Sequence, residues 1–391
     1  MREPEIVIAG CGAVSAVGWG VKPLLDALKK NSSGLRACER FNSPKFQSHI
    51  VGAVQKEWRS GILSGPDFLE NPAWCLAGEA LAQACASTKE ILAKISSQRI
   101  ALVLSTTKAN IPALERLSEN LPCGESARRH LRADLLAEDL AKKFGAGGTI
   151  QTVSLACVSG LVAISQAAKA IQRGEADAVF VVGVDCLSEF VMSGFTALKA
   201  LDPTGCRPFD ANRCGLSPGE AGAAIVLARR DISPDSKIKI AGFGGSNDAN
   251  HLTGPSRDGS GLAAAIRRAL DSAKISAAKI DFVHAHGTGT GYNDTMESLA
   301  LKLVFGENCP PMSGSKGMLG HTLGAAGVIE TVCCVLAMQN DFLPGTPRMD
   351  SPADGVPKNI LREPRAGKLE KALKLNTGFG GVNGALILSN E

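Results

Sequence analysis

Aromatic residues are scarce in this chain: 4% of 391 positions, with three tryptophans and one tyrosine, Tyr292. Charge of one sign is scarce as well, the net value being +4, and no Lys/Arg stripe is interleaved with aromatics. Both absences argue against a nucleic-acid surface. Long apolar runs are missing. The longest, 178–184 and 221–228, fall far short of a membrane span. The charged opening MREPEIVIAG enters a strand-like run directly, which predicts no secretory signal. None of the twelve cysteines forms a C-x-x-C pair, and no His/Cys grouping has zinc-ligand spacing, so no metal site is expected. Cys85, Cys186, Cys333 and Cys334 lie in apolar runs, where a thiol behaves as a small hydrophobe. This usage predicts a reducing, cytoplasmic setting.

Glycine is abundant, at 43 residues, and 45% of the chain is hydrophobic, ample for a large core or two fused domains. Short β-branched runs (6–9, 100–104, 178–184, 223–227, 238–241, 282–285 and 386–388) alternate with Ala-rich helical stretches (74–94, 159–173, 261–273, 295–304 and 327–339). The alternation predicts an α/β fold with buried, largely parallel strands. A charged, Pro-containing stretch, RRDISPDSK, divides the chain into halves 1–232 and 233–391. Each half holds a small-residue turn feeding a helix, LACVSGLVAISQAAKAIQRG and GHTLGAAGVIETVCCVLAMQ, which hints at duplication.

Four segments carry chemistry. In VSLACVSGLVAISQAAKA, Cys157 falls at a helix start, where aligned amide dipoles favour the thiolate; an inert buried thiol fits the same segment. In DFVHAHGTGTGYNDTMES, His286 leaves a strand into a Gly/Thr loop. His284 shares its side of the strand, and Asp294 reads as a helix N-cap. In SGSKGMLGHTLGAAGVIE, Lys316 and His321 occupy Gly-punctuated backbone before a helix containing Glu330; a phosphate loop would read alike. In LNTGFGGVNGALIL, a Gly-rich turn offers free N–H groups beside Phe379, as an oxyanion hole does, or simply turns into an edge strand. One Cys, two His and a Lys match no serine-type triad order. They fit carbon–carbon bond formation on thioesters, where a thiolate takes an acyl group and imidazoles hydrogen-bond the enolate left by decarboxylation.

Together, in this order and over nearly the whole chain, these segments resemble the β-ketoacyl-acyl carrier protein synthases of the elongating Cys-His-His kind, in the thiolase-like superfamily. The resemblance implies an α-β-α-β-α layered fold of two similar halves. It implies a decarboxylative Claisen condensation of an acyl thioester with malonyl-acyl carrier protein, in fatty-acid or polyketide synthesis. Carried onto this sequence, Cys157 is the acyl acceptor, and His286 and His321 are the pair that promotes decarboxylation. Lys316 supports them and Glu330 pairs with Lys316. Thr288 and Thr290 match positions that bind the phosphopantetheine arm. Phe379 is the gate, its N–H and that of Cys157 forming the oxyanion hole. Arg207 to Gly222, with Asp248 and His251, shape the surroundings. No covalently bound cofactor is implied, because substrates ride on the carrier's phosphopantetheine. The expected partners are that carrier and, in a dimer, a second copy or a related ketosynthase-fold subunit. Lys56, Arg59, Arg128 and Arg129 are basic candidates for carrier docking.

Two departures stand out. Thr377 replaces an aromatic beside the gate, and Ser105-Thr106-Thr107-Lys108 replaces a glycine-rich stretch. With the GYNDTMES variant and a short 110–150 region, the second points toward aryl-polyene or pigment ketosynthases. A non-catalytic chain-length-factor subunit would typically lack Cys157. A thiolase would carry a second cysteine near the last Gly-rich turn, and a starter-type synthase an asparagine in place of His321.

Overall fold

The computed structural model describes residues 4–41, 43–55, 68 and 70–390; Lys56 and Arg59 lie outside them. The first half supplies, in chain order, strands Ile6–Ser15, Ile100–Ser105, Ile150–Val153, Ala178–Asp185 and Ala221–Arg229. The second supplies Ile238–Asn247, Phe282–His284, Met312–Ser313, Lys371–Gly378 and Val382–Asn390. Ranked within its own half, each set has the same spatial order, 3-2-4-5-1. Directions repeat too: strand 2 is parallel to strands 3 and 4, while 4–5 and 5–1 are antiparallel. The two first strands meet at Val7 and Lys239, joining the halves into one hydrogen-bonded sheet. Duplication hinted at by two small-residue helices is therefore written in the topology.

Layering follows from which faces are apolar. Ala178–Asp185 is buried along its whole length, because helices cover both sides of its sheet. Three apolar clusters mark the helical layers. One outer cluster lies under Pro72–Ser87, another under Ser260–Ala273, and the central one surrounds helices Ser159–Gln172 and Ala326–Gln339. The order is α-β-α-β-α.

The two central helices cross with almost no side chain between them. A Cβ built on Gly160 would stand 2.6 Å from the Val328 nitrogen, and one on Gly327 would stand 2.5 Å from that of Leu161. Only glycine allows this approach. It brings the turn before one helix beside the loop before the other.

Four sequence expectations are corrected. The sheet is mixed, not largely parallel, since a continuous apolar run reports burial rather than direction. Strands Ile150–Val153, Met312–Ser313 and Lys371–Gly378 are additions; the first is mostly exposed, the second very short, and the third carries an interior lysine and asparagine. The final strand is internal, flanked by Lys371–Gly378 and Ile238–Asn247, rather than an edge. Asp294 is not an N-cap, because helix Gly291–Phe305 begins earlier.

Candidate active site

In each half the third strand leads through a loop into a central helix, and the site lies where these two loops meet. In the first half, Ile150–Val153 runs into a tight turn at Ala156, whose φ of 46° is unusual for a residue with a Cβ. Ser159 clamps that turn: its hydroxyl donates to the Ala156 carbonyl at 2.6 Å and accepts from the Leu155 N–H at 2.7 Å. Cys157 is thereby presented two residues before helix Ser159–Gln172.

The second half answers with His321. The Leu323 N–H, aimed by another positive φ of 52°, donates to His321 Nδ1 at 3.3 Å. A neutral ring that accepts at Nδ1 carries its proton on Nε2. Nε2 lies 3.0 Å from Cys157 Sγ. Asp185 fixes this loop from the first half, accepting from the Gly324 N–H at 2.6 Å and from the Thr107 hydroxyl at 2.7 Å.

His286 follows strand Phe282–His284 and is oriented from behind. Its Nδ1 receives Lys316 Nζ at 3.1 Å and Asn376 Nδ2 at 2.9 Å, so its proton too belongs on Nε2. Lys316 also donates to the His286 carbonyl at 2.6 Å and pairs with Glu330 Oε1 at 2.6 Å. The Glu297 carboxylate holds the His286 and Gly287 amides at 2.6 and 2.9 Å. The rings of His286 and His321 meet edge to face, 5.3 Å between centroids. Reactive atoms of Cys157, His286 and His321 all lie within 4.8 Å of one another.

Electrostatics separate these groups. Burial, reinforced by the Lys316 ammonium, holds His286 well below the usual imidazole range and His321 down at about 3. Both imidazoles are neutral at physiological pH. Burial raises the Cys157 thiol to about 12, against the pull of Lys316 and Lys108. The lowered thiol expected from the helix start is thus reversed in the resting site, because enclosure outweighs the dipole. Glu330 remains ionised, held low by Lys316 and Lys374 despite its burial.

The remaining sequence-stipulated positions fall around this centre. Thr288 and Thr290 bring their hydroxyls within 2.8 Å of each other. Asp294, buried, receives the amides of Phe209 at 2.7 Å and Thr288 at 3.0 Å, and so shapes their loop. Gly378 packs against the nucleophile turn, a Cβ there standing 3.2 Å from the Cys157 nitrogen. Next to it Phe379 is exposed, with its ring 6.3 Å from that of Phe195. The Thr377 hydroxyl turns away to Asn293 Oδ1 at 2.7 Å. His284 is buried with neither ring nitrogen partnered, which separates it from His286. Arg129 is engaged with Asp139 and Glu138.

Sequence reasoning missed Asp185, Glu297, Lys374 and Asn376. Period-two alternation offered a signal for the last two, since Lys374 and Asn376 share one face of an apolar strand, where a buried cation demands a counter-charge.

Comparison with known proteins turns this geometry into a lineage. Residues 3–232 match the profile of the beta-ketoacyl synthase N-terminal domain, and 238–350 that of its C-terminal domain. The chain belongs to the β-ketoacyl synthase family. Among relatives of this synthase, a "putative polyketide beta-ketoacyl synthase 1" of Streptomyces halstedii is 33% identical, covering 98% of each chain. A 3-oxoacyl-[acyl-carrier-protein] synthase 2 of Coxiella burnetii is 28% identical over 100% of this chain and 99% of its own. The solved ishigamide ketosynthase/chain length factor superposes with a TM-score of 0.91 at 28% identity, covering 100% of both chains. The synthase thus has the thiolase-like fold expected of it. No helix among its described residues is long and apolar enough to cross a membrane.

Proposed function

We propose that this synthase condenses an acyl thioester with malonyl-acyl carrier protein, through an acyl-enzyme on Cys157. The observation that carries the reading is the convergence of one thiol and two neutral imidazoles, each with Nε2 as its donor. Cys157 Sγ attacks the thioester carbonyl of the incoming chain, the C–S bond to phosphopantetheine breaks, and the departing sulfur takes the thiol proton. Malonyl-carrier then enters past Phe379, its arm along Thr288 and Thr290. Loss of carbon dioxide leaves the C–C electron pair as an enolate, whose oxygen receives hydrogen bonds from His286 and His321. No base is required, which suits imidazoles that stay neutral. The enolate carbon attacks the acyl-Cys157 carbonyl, whose oxyanion faces the N–H groups of Cys157 and Phe379. Collapse expels the Cys157 thiolate, which regains a proton from solvent, and releases a β-ketoacyl chain on the carrier.

Lys316 and Glu330 hold His286, and Thr377 opens the wall beside the gate. Halves 1–232 and 233–391 act as one catalytic unit, the first bringing the nucleophile and the second the histidines. The substrate chain is of the fatty-acid or polyketide kind, with the Ser105–Lys108 departure favouring an aryl-polyene or pigment pathway in the cytoplasm. The partner subunit, a second copy or a chain-length-factor relative, fits the edge strand Ile150–Val153. Ile150 on that strand and Leu155 just beyond it are 37% and 39% exposed, apolar side chains left uncovered at the sheet edge. Replacing Cys157 with Ala is expected to remove malonyl-dependent condensation by at least about a thousandfold. Unchanged condensation in that variant refutes the reading.

A further inference from the structure

Behind the Lys316–Glu330 pair stands a second fully buried ammonium that the proposed reaction does not use. Lys374 lies mid-strand in Lys371–Gly378, in register with His284 of the neighbouring parallel strand. Its Nζ is 2.9 Å from Glu330 Oε2, and it also donates to the Leu375 carbonyl. Asn376, two residues on and on the same face, donates from one amide nitrogen to Glu330 Oε2 at 3.1 Å and to His286 Nδ1 at 2.9 Å. Glu330 is therefore saturated, with Lys316 on one oxygen and Lys374 and Asn376 on the other.

Burial lowers the Lys374 pKa and its contact with Glu330 opposes that; with Lys374 protonated, a lone carboxylate between two lysines makes a cluster of net positive charge. A Lys–Glu pair would be neutral. The extra charge needs a reason, because each buried ion carries a desolvation cost of several kcal/mol.

We infer that Lys374 is a positioning residue for the condensation: by binding the outer oxygen of Glu330 it keeps the buried cluster cationic and holds His286 and His321 as neutral Nε2–H donors. This rests on the condensing function proposed above. Groups facing the two imidazoles are Cys157 from the nucleophile turn, Lys316 from its own short helix and Glu330 from the central helix. His284 and Lys374 face them from the paired strands. Lys108 and Asp185 do so from the first half, Glu297 and Asp294 from helix Gly291–Phe305. Lys108 and Asp185 offset each other at 3.5 Å, and burial raises the Glu297 carboxyl to about 7, so it is charged over only part of the pH range; on Glu330 itself the second lysine makes the group net positive. In keeping with this, the Lys374 charge opposes protonation of His284, His286 and His321 alike.

The test uses the full-length protein with malonyl-carrier and acyl-carrier, from about pH 3 to about pH 9, because the wild-type limb lies near that of His321, at about 3. Removing one cation from the cluster makes the imidazolium easier to form. In Lys374→Met the acid side of the profile for malonyl-carrier decarboxylation is expected to move up by about one pH unit. Acyl loading of Cys157, measured by intact mass, should fall less than decarboxylation. The double variant Glu330→Gln/Lys374→Met leaves Lys316 as the single positive charge, so its acid limb should return toward wild type. A Lys374→Met profile that is merely lower, with unchanged pH shape, overturns the inference, since packing loss alone has no pH signature. Should Lys374→Met fail to fold, the double variant is compared with Glu330→Gln: an acid limb at higher pH in the double variant supports the inference, and coincident limbs overturn it. A wild-type protein inert toward malonyl-carrier defeats the functional reading itself, and the inference with it.

Discussion

The two halves share one topology and divide the chemistry unequally. In both, the third strand passes through a loop into a central helix, and the helices touch at Gly160 and Gly327. The first-half loop, residues 154–158, is a tight turn that presents a thiol and carries no charge. Its counterpart, residues 314–325, is long enough to carry both Lys316 and His321. The helix that follows is apolar along its buried face in the first half but holds Glu330 in the second. Duplication supplied a crossing point where two loops meet. The nucleophile stands on one side, and the two fully buried lysines among the described residues, Lys316 and Lys374, stand on the other.

That asymmetry can be broken at graded cost. The largest stability effect is expected from Glu330→Ala, which leaves Lys316 and Lys374 buried without their shared counter-charge. Thermal unfolding should show a loss of about 3–5 kcal/mol. Next comes Gly160→Ala. Its new methyl meets the backbone of Val328, so the helices must part, at about 1–3 kcal/mol. Condensation should fall further than stability explains, because Cys157 and His321 sit on loops set by that crossing. A smaller effect belongs to Thr377→Val, which removes the hydroxyl held by buried Asn293 and should cost about 1 kcal/mol. Smallest in consequence but sharpest in sign is the pH dependence of Cys157 alkylation. Only the thiolate reacts, and burial has raised the thiol to about 12, so labelling of Cys157 should keep climbing with pH and show no plateau below about pH 10. A plateau near neutrality, read by mass spectrometry after brief iodoacetamide exposure, would mean the helix start and lysines outweigh enclosure after all.

Much of this was legible in the sequence, for reasons that differ by residue. Cys157, His286, Lys316 and His321 stand out because small residues and glycines lie beside them, and packing alone does not explain a lysine on such backbone; Glu330, between Ile329 and Thr331, is singled out only through the family resemblance. The buried helices were readable from their Ala/Gly content, although their contact was not, since it joins positions far apart in the chain. Asp185 and Glu297 looked like ordinary acidic residues. Their role is to gather loop amides, which only the folded backbone reveals. Lys374 lies in Lys371–Gly378, a strand that the apolar pattern did not mark, so its burial was not visible. The direction of the thiol shift was misjudged because a helix start can be seen in sequence while enclosure by partners from the other half cannot.

The most direct test follows acyl-Cys157 by intact mass spectrometry in the wild type, His286→Ala and His321→Ala. The account predicts that all three accept an acyl group from acyl-carrier, that malonyl-carrier discharges it from the wild type, and that discharge in the histidine variants slows by about a hundredfold or more. Loading that collapses in those variants as completely as discharge would contradict it.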